Sequence, residues 1–190
     1  MPNLPTLLTL GRILLVPILV VVLFTKIDGR EFYGLALFLA AALTDWLDGF
    51  LARRLRQVTK LGQLLDPAAD KILMASAFIS LVELNPAATP AWMVAAILAR
   101  EFAVGALRNV AATGGVVIAA GWAGKLKTGV QIVAVSLAII HNQLGEFSHL
   151  APLALWVALI VTLFSGLEYF LRYRKMLMSD ARDTGAAAAP

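Results

Sequence analysis

The chain has 190 residues, 60% of them apolar and 15% charged, with a formal net charge of +4. That balance excludes an ordinary water-soluble domain and leaves length for one membrane domain. Cysteine is absent, which excludes disulfide and thiolate chemistry, and two isolated histidines, His141 and His149, do not suggest a zinc site.

Six stretches read as membrane helices, against the about 20 mostly apolar residues that a bilayer core requires. They run from Leu7 to Thr25, Phe32 to Arg53, Pro67 to Val82, Pro90 to Val110, Ala123 to Ile140 and Ala151 to Leu171. Met1 to Thr6 reads as a short interfacial segment before the chain enters lipid. The first stretch lacks a basic leader and is interrupted by Arg12 and Pro17, so a cleavable signal peptide is not expected. Connectors are short and carry breakers: Asp28-Gly29, Asn85-Pro86, Gly114-Gly115 and His141-Asn142. The expected fold is an all-α membrane protein of six transmembrane helices. One domain covers residues 1–175, and residues 176–190 form a flexible tail.

Lysines and arginines set the orientation. With the N-terminus in the cytoplasm, one rim receives Arg53, Arg54, Arg56, Lys60, Lys71, Arg108, Lys125, Lys127, Arg172, Arg174, Lys175 and Arg182, whereas the opposite loops hold only Lys26 and Arg30. The positive charge therefore marks a cytoplasmic rim rather than a nucleic-acid surface.

The most informative stretch lies between Asp45 and Asp70. Asp45 and Asp48 are three apart near the cytoplasmic end of the second helix, and Asp66 and Asp70 are four apart at the start of the third. Both spacings put carboxylates on one helix face. Four carboxylates at membrane depth repel one another and are costly to desolvate, so positive charge must sit among them. Hard oxygen ligands suit Mg²⁺, Mn²⁺ or Ca²⁺. Gly49, Ala52 and Gly62 accompany the acids, either leaving room for a flat ligand or serving as ordinary helix-packing positions.

The run Asp45-Trp-Leu-Asp48-Gly49-Phe-Leu-Ala52-Arg53, eight residues, Gly62-Gln-Leu-Leu-Asp66-Pro-Ala-Ala-Asp70 matches every fixed position of D-x-x-D-G-x-x-A-R-x8-G-x-x-x-D-x-x-x-D. It resembles the CDP-alcohol phosphatidyltransferase family, as does the six-helix layout. The resemblance implies that Asp45, Asp48, Asp66 and Asp70 bind two divalent ions, Mg²⁺ or Mn²⁺, and that Asp70 is also the general base. It implies that Gly49, Ala52 and Gly62 make space for the cytidine nucleotide, that Arg53 holds the diphosphate and that Thr59 contacts the donor. The donor is then CDP-diacylglycerol in a bacterial plasma membrane, the active site faces the cytoplasm, and the enzyme is a homodimer. Two metals would clamp a diphosphate, and a carboxylate beside the acceptor would take its proton.

The acceptor is read from later residues. Arg100-Glu101-Phe102 and Arg108 lie on the fourth helix, and Gly124-Lys125-Leu-Lys127-Thr128 leads into the fifth, followed by Gln131. Arg100, Arg108, Lys125 and Lys127 would build a cationic pocket for a phosphorylated acceptor. Arg108, Lys125 and Lys127 read equally well as rim charges facing anionic lipid. These segments resemble the branch of the family whose acceptor is sn-glycerol 3-phosphate and whose products are phosphatidylglycerophosphate and CMP. The start, Asn3-Leu-Pro5-Thr6-Leu-Leu-Thr9-Leu-Gly-Arg12, resembles the branch's N-x-P-N-x-L-T-x-x-R entry, with Thr6 in place of the usual asparagine. Pro5, Thr6 and Thr9 are expected at the nucleotide; Pro5 and Thr9 serve equally well as helix-starting residues.

Two other readings compete. The same chemistry would serve another acceptor, inositol phosphate or phosphatidylglycerol. A divalent-cation transporter would also use intramembrane carboxylates. No second copy of the aspartate pattern occurs in residues 100–190, and a site at one rim suits a water-soluble acceptor better than passage.

Overall fold

A computed structural model describes residues 4–55, 60–113 and 122–186. Side chains are described for most of these, but not for residues 4–6, 45–55, 60–64, 113, 123, 172 and 174–186. The described residues form six α-helices: α1 (Leu4–Phe24), α2 (Arg30–Leu55), α3 (Lys60–Leu84), α4 (Ala91–Thr113), α5 (Trp122–Ile139) and α6 (Leu150–Ala186). Two 3₁₀ turns, His141–Gln143 and Gly145–His149, join α5 to α6.

Three of the four expected connectors appear where the breakers stand. Gly29 takes φ of 75°, which lets its carbonyl accept from the Phe32 amide at 2.9 Å and start α2. The Asn85 carbonyl accepts from the Thr89 amide at 2.8 Å and turns the chain into α4. The Gly114-Gly115 connector lies outside the described residues, as does Thr59.

The largest departures from the expected bounds are in α3 and α6. α3 begins at Lys60 and carries Pro67 in its interior, so Gly62 and both Asp66 and Asp70 belong to one helix. α1 likewise runs through Pro17. Interior proline costs about 3 kcal/mol in an exposed helix, but membrane helices tolerate it because their neighbours satisfy the freed carbonyl. α6 extends past Leu171 to Ala186, so most of the expected tail continues as helix; residues 187–190 lie outside the described residues.

α1 packs along α2 and α3, α5 along α6, and α4 against α6 and α3; α5 also meets α2 and α3. Phe38, Phe78, Leu73, Ile97, Val135 and Leu155 are enclosed where these helices meet. The outer surface is the reverse of a soluble protein's. Leu14, Val21, Ile160 and Phe164 are 60–68% exposed, while Thr9, Arg12, Thr162 and Ser165 are wholly buried. Apolar side chains outside and polar ones inside suit a lipid solvent.

Among the described residues, two segments, Leu7–Phe24 and Gly145–Leu171, are long and apolar enough to cross a membrane by composition alone. Six helices are present, but the expected six membrane spans are met by composition in these two alone among the described residues. The helices that fall short include α2 to α5, which carry Asp45, Asp48, Asp66, Asp70, Lys71, Arg100, Glu101 and Lys127.

Candidate active site

Asp66 and Asp70 lie one turn apart on α3, both half-buried. The Thr9 hydroxyl of α1 donates to Asp66 Oδ1 at 2.5 Å. Thr9 is therefore not a helix cap: α1 starts at Leu4, and the hydroxyl reaches across to α3 instead. Arg12, three residues further along α1, is the largest wholly enclosed side chain among the described residues. A buried guanidinium is expensive unless anions surround it, and the carboxylate end of α3 lies along this helix.

Asp45, Asp48, Gly49, Ala52 and Arg53 occupy the C-terminal half of α2, which packs against α3. Their side chains are outside the description, as are those of Pro5, Thr6 and Gly62. Among the described residues no group of three or more His, Cys, Asp or Glu gathers to hold a metal. The donors that are described do fit a hard cation: two carboxylates one turn apart, one of them held by a hydroxyl.

Beside Asp70 opens a cleft of about 340 Å³, its mouth included. Asp70 and Lys71 of α3, Glu101 and Phe102 of α4, and Lys127 and Gln131 of α5 contribute to its lining. Its far wall is a buried polar network. Lys127 Nζ donates to both Glu101 oxygens at 2.6 Å. Gln131 Nε2 donates to Glu101 Oε1 at 3.2 Å and to Thr162 Oγ1 of α6 at 2.9 Å. Arg100 Nη1 lies 3.3 Å from Glu101 Oε1, and its Nη2 donates to Ser165 Oγ of α6 at 2.7 Å. Glu101 thus gathers two cations and an amide from two helices. Such a network rigidifies the site when satisfied and is costly when broken.

The four expected acceptor cations do not meet as one pocket in this structure. Lys127 lines the cleft. Arg100 is buried behind it, turned to Glu101 and Ser165. Arg108 is exposed, its guanidinium 5.9 Å from the Tyr169 ring centre. Lys125 is exposed on α5 and is not in the lining. Two cleft residues have no site role in the expectation from sequence. Lys71 follows Asp70 directly, and its charge alone places it at the rim. The second is Glu101, whose role as the hub of the network depends on Thr162 and Ser165; those polar residues, three apart in the apolar α6, were the available signal.

A family model described as CDP-alcohol phosphatidyltransferase matches residues 2–164. A Bacillus subtilis (strain 168) protein named CDP-diacylglycerol–glycerol-3-phosphate 3-phosphatidyltransferase is 46% identical over 183 residues, covering 88% of this chain and 93% of its own. An Escherichia coli (strain K12) protein of the same name is 38% identical over 181 residues, covering 94% and 98%. A Shigella flexneri protein of that name is also 38% identical.

Proposed function

Because the chain belongs to the CDP-alcohol phosphatidyltransferase family, we propose that it transfers the phosphatidyl group of CDP-diacylglycerol to sn-glycerol 3-phosphate, giving phosphatidylglycerophosphate and CMP. The observation that supports this reading best is the shared cleft of Asp70 and Lys127: a carboxylate and a lysine ammonium open onto one space. The names of the relatives supply the acceptor.

Asp45, Asp48, Asp66 and Asp70 would hold two divalent ions, Mg²⁺ or Mn²⁺, which when bound polarise the diphosphate and neutralise its charge. Lys127 holds the acceptor's phosphate in the cleft, so that one of the two glycerol hydroxyls faces Asp70. Asp70 takes the hydroxyl proton as the oxygen attacks the β-phosphorus; the bond to CMP breaks and CMP departs. Thr9 fixes Asp66 by its hydrogen bond. Pro5, Thr6, Gly49, Ala52, Arg53, Thr59 and Gly62 surround the cytidine diphosphate. Arg100 orients Glu101 and through it Lys127, while Arg108 and Lys125 attract the anionic acceptor from the rim.

The protein is a single membrane domain with its active site at the cytoplasmic face of a bacterial plasma membrane, and it works as a homodimer. The lipid-facing exposure of Leu14, Val21, Ile160 and Phe164 supports the membrane setting. The test is CMP release by purified protein with Mg²⁺ or Mn²⁺, CDP-diacylglycerol and one acceptor at a time. Glycerol 3-phosphate should far exceed inositol phosphate, serine and phosphatidylglycerol. Preference for another acceptor would move the protein to a sister reaction, and CMP release needing no acceptor would defeat the transferase reading.

A further inference from the structure

We propose that Lys71 is a second cation for the acceptor's phosphomonoester, on the α3 wall of the Asp70 cleft, and that Gly105 is the gap in α4 that admits its ammonium group. This rests on the functional reading above and assigns a residue which that reading leaves at the rim.

Three observations converge. Lys71 lines the same cleft as Asp70 and Lys127. Its side chain crosses from α3 to α4, placing Nζ 5.8 Å from the Phe102 ring centre. A Cβ at Gly105 would collide with Lys71 Nζ and lie 3.2 Å from Lys71 Cε. Glycine inside a helix is unfavourable relative to alanine, and here its missing side chain is the space the ammonium fills.

The charge pattern then separates the two lysines. Lys127 is already held by both oxygens of Glu101. Among the described residues Lys71 has no carboxylate partner, and its ammonium rests on the face of an aromatic ring. A cation–π contact is weak beside a phosphate dianion, so the ring parks the charge without competing for it. A partly buried ammonium without an anion, in a cleft that takes a phosphorylated alcohol, is the group a phosphate would recruit. A lipid headgroup offers the same phosphate chemistry, and the kinetics distinguish the two sources.

The test is steady-state CMP release by the full-length protein, with the KM for glycerol 3-phosphate and for CDP-diacylglycerol measured separately. Lys71→Met keeps the apolar stem and removes the charge. It should raise the glycerol 3-phosphate KM about tenfold to a hundredfold, the size of one charged hydrogen bond, and leave the CDP-diacylglycerol KM unchanged. Gly105→Ala should raise the acceptor KM severalfold in the Lys71 protein and have no effect in the Lys71→Met background. Its thermal midpoint should hold or rise, because alanine is the better helix former and only the end of a flexible side chain must move. An unchanged acceptor KM in Lys71→Met, or a rise confined to CDP-diacylglycerol, overturns the assignment. If Lys71→Met does not fold, an unchanged acceptor KM in Gly105→Ala overturns it instead. Wild-type turnover with another phosphorylated acceptor corrects the functional reading, and the same KM ratios are then taken on that acceptor. Absence of turnover with any phosphorylated acceptor defeats both.

Discussion

Two carboxylates on opposite sides of the site have opposite surroundings. Glu101 receives Lys127, Arg100 and Gln131, so its charge is balanced by protein groups before any ligand arrives. Asp66 receives a neutral hydroxyl from Thr9; among the described residues no cation balances it. A carboxylate that the fold has already neutralised is a strut. A carboxylate oriented by a hydroxyl but not neutralised keeps its charge for a ligand, and at membrane depth it needs one. The contrast supports the proposal that the Glu101 network shapes the cleft and that the Asp66–Asp70 end carries the chemistry.

Substitutions break this contrast in order of size. The largest effect on turnover should come from Asp70→Asn, which removes the proposed base; CMP release should fall about a thousandfold or more. Wild-type rates in that variant would remove Asp70 from the mechanism. Asp66→Asn should also be inactive, but its thermal midpoint without metal should hold or rise, and the Mg²⁺-dependent rise of the wild-type protein should shrink.

Glu101→Gln should show the reverse balance. Lys127 and Arg100 lose their shared anion, and stripping one partner from a buried pair costs about 3–5 kcal/mol. A clear drop in thermal midpoint in detergent is expected with or without metal. Equal midpoints for wild type and Glu101→Gln would deny the strut role.

Thr9→Val keeps the shape and removes the hydrogen bond to Asp66. It should cost about 1 kcal/mol in stability and weaken the Mg²⁺ response without abolishing it; an unaltered Mg²⁺ titration would show that the hydroxyl does not orient Asp66. The smallest effect is expected from Lys125→Ala. Its exposed charge should change the glycerol 3-phosphate KM about twofold, and only at low ionic strength. A large, salt-independent change would bring Lys125 into the pocket itself.

Much of this contrast was invisible along the chain for a physical reason. Asp66 and Asp70 announced themselves because their chemistry is local: one helix turn separates them, and spacing alone places them on one face. The pairing of Glu101 with Lys127 joins α4 to α5, and Gln131 and Arg100 extend it to α6. No periodicity within one helix encodes such a contact. Thr9 shows the same limit. Its hydroxyl read as a cap because caps are local, and it became an aspartate partner only when α1 packed on α3.

Composition and the long apolar stretches pointed to an all-helical membrane chain, and the resemblance of the aspartate-glycine-arginine motif pointed to the family. Those properties follow from composition and from contacts within about one helix turn. Tertiary structure alone decided which cations share the cleft with Asp70. Arg100, Arg108, Lys125 and Lys127 are equivalent as a list of charges; helix packing turned Lys127 inward, set Arg100 behind Glu101, left the other two exposed, and brought Lys71 across α4 at Gly105. Direction of a long side chain depends on what its neighbours on other helices leave open.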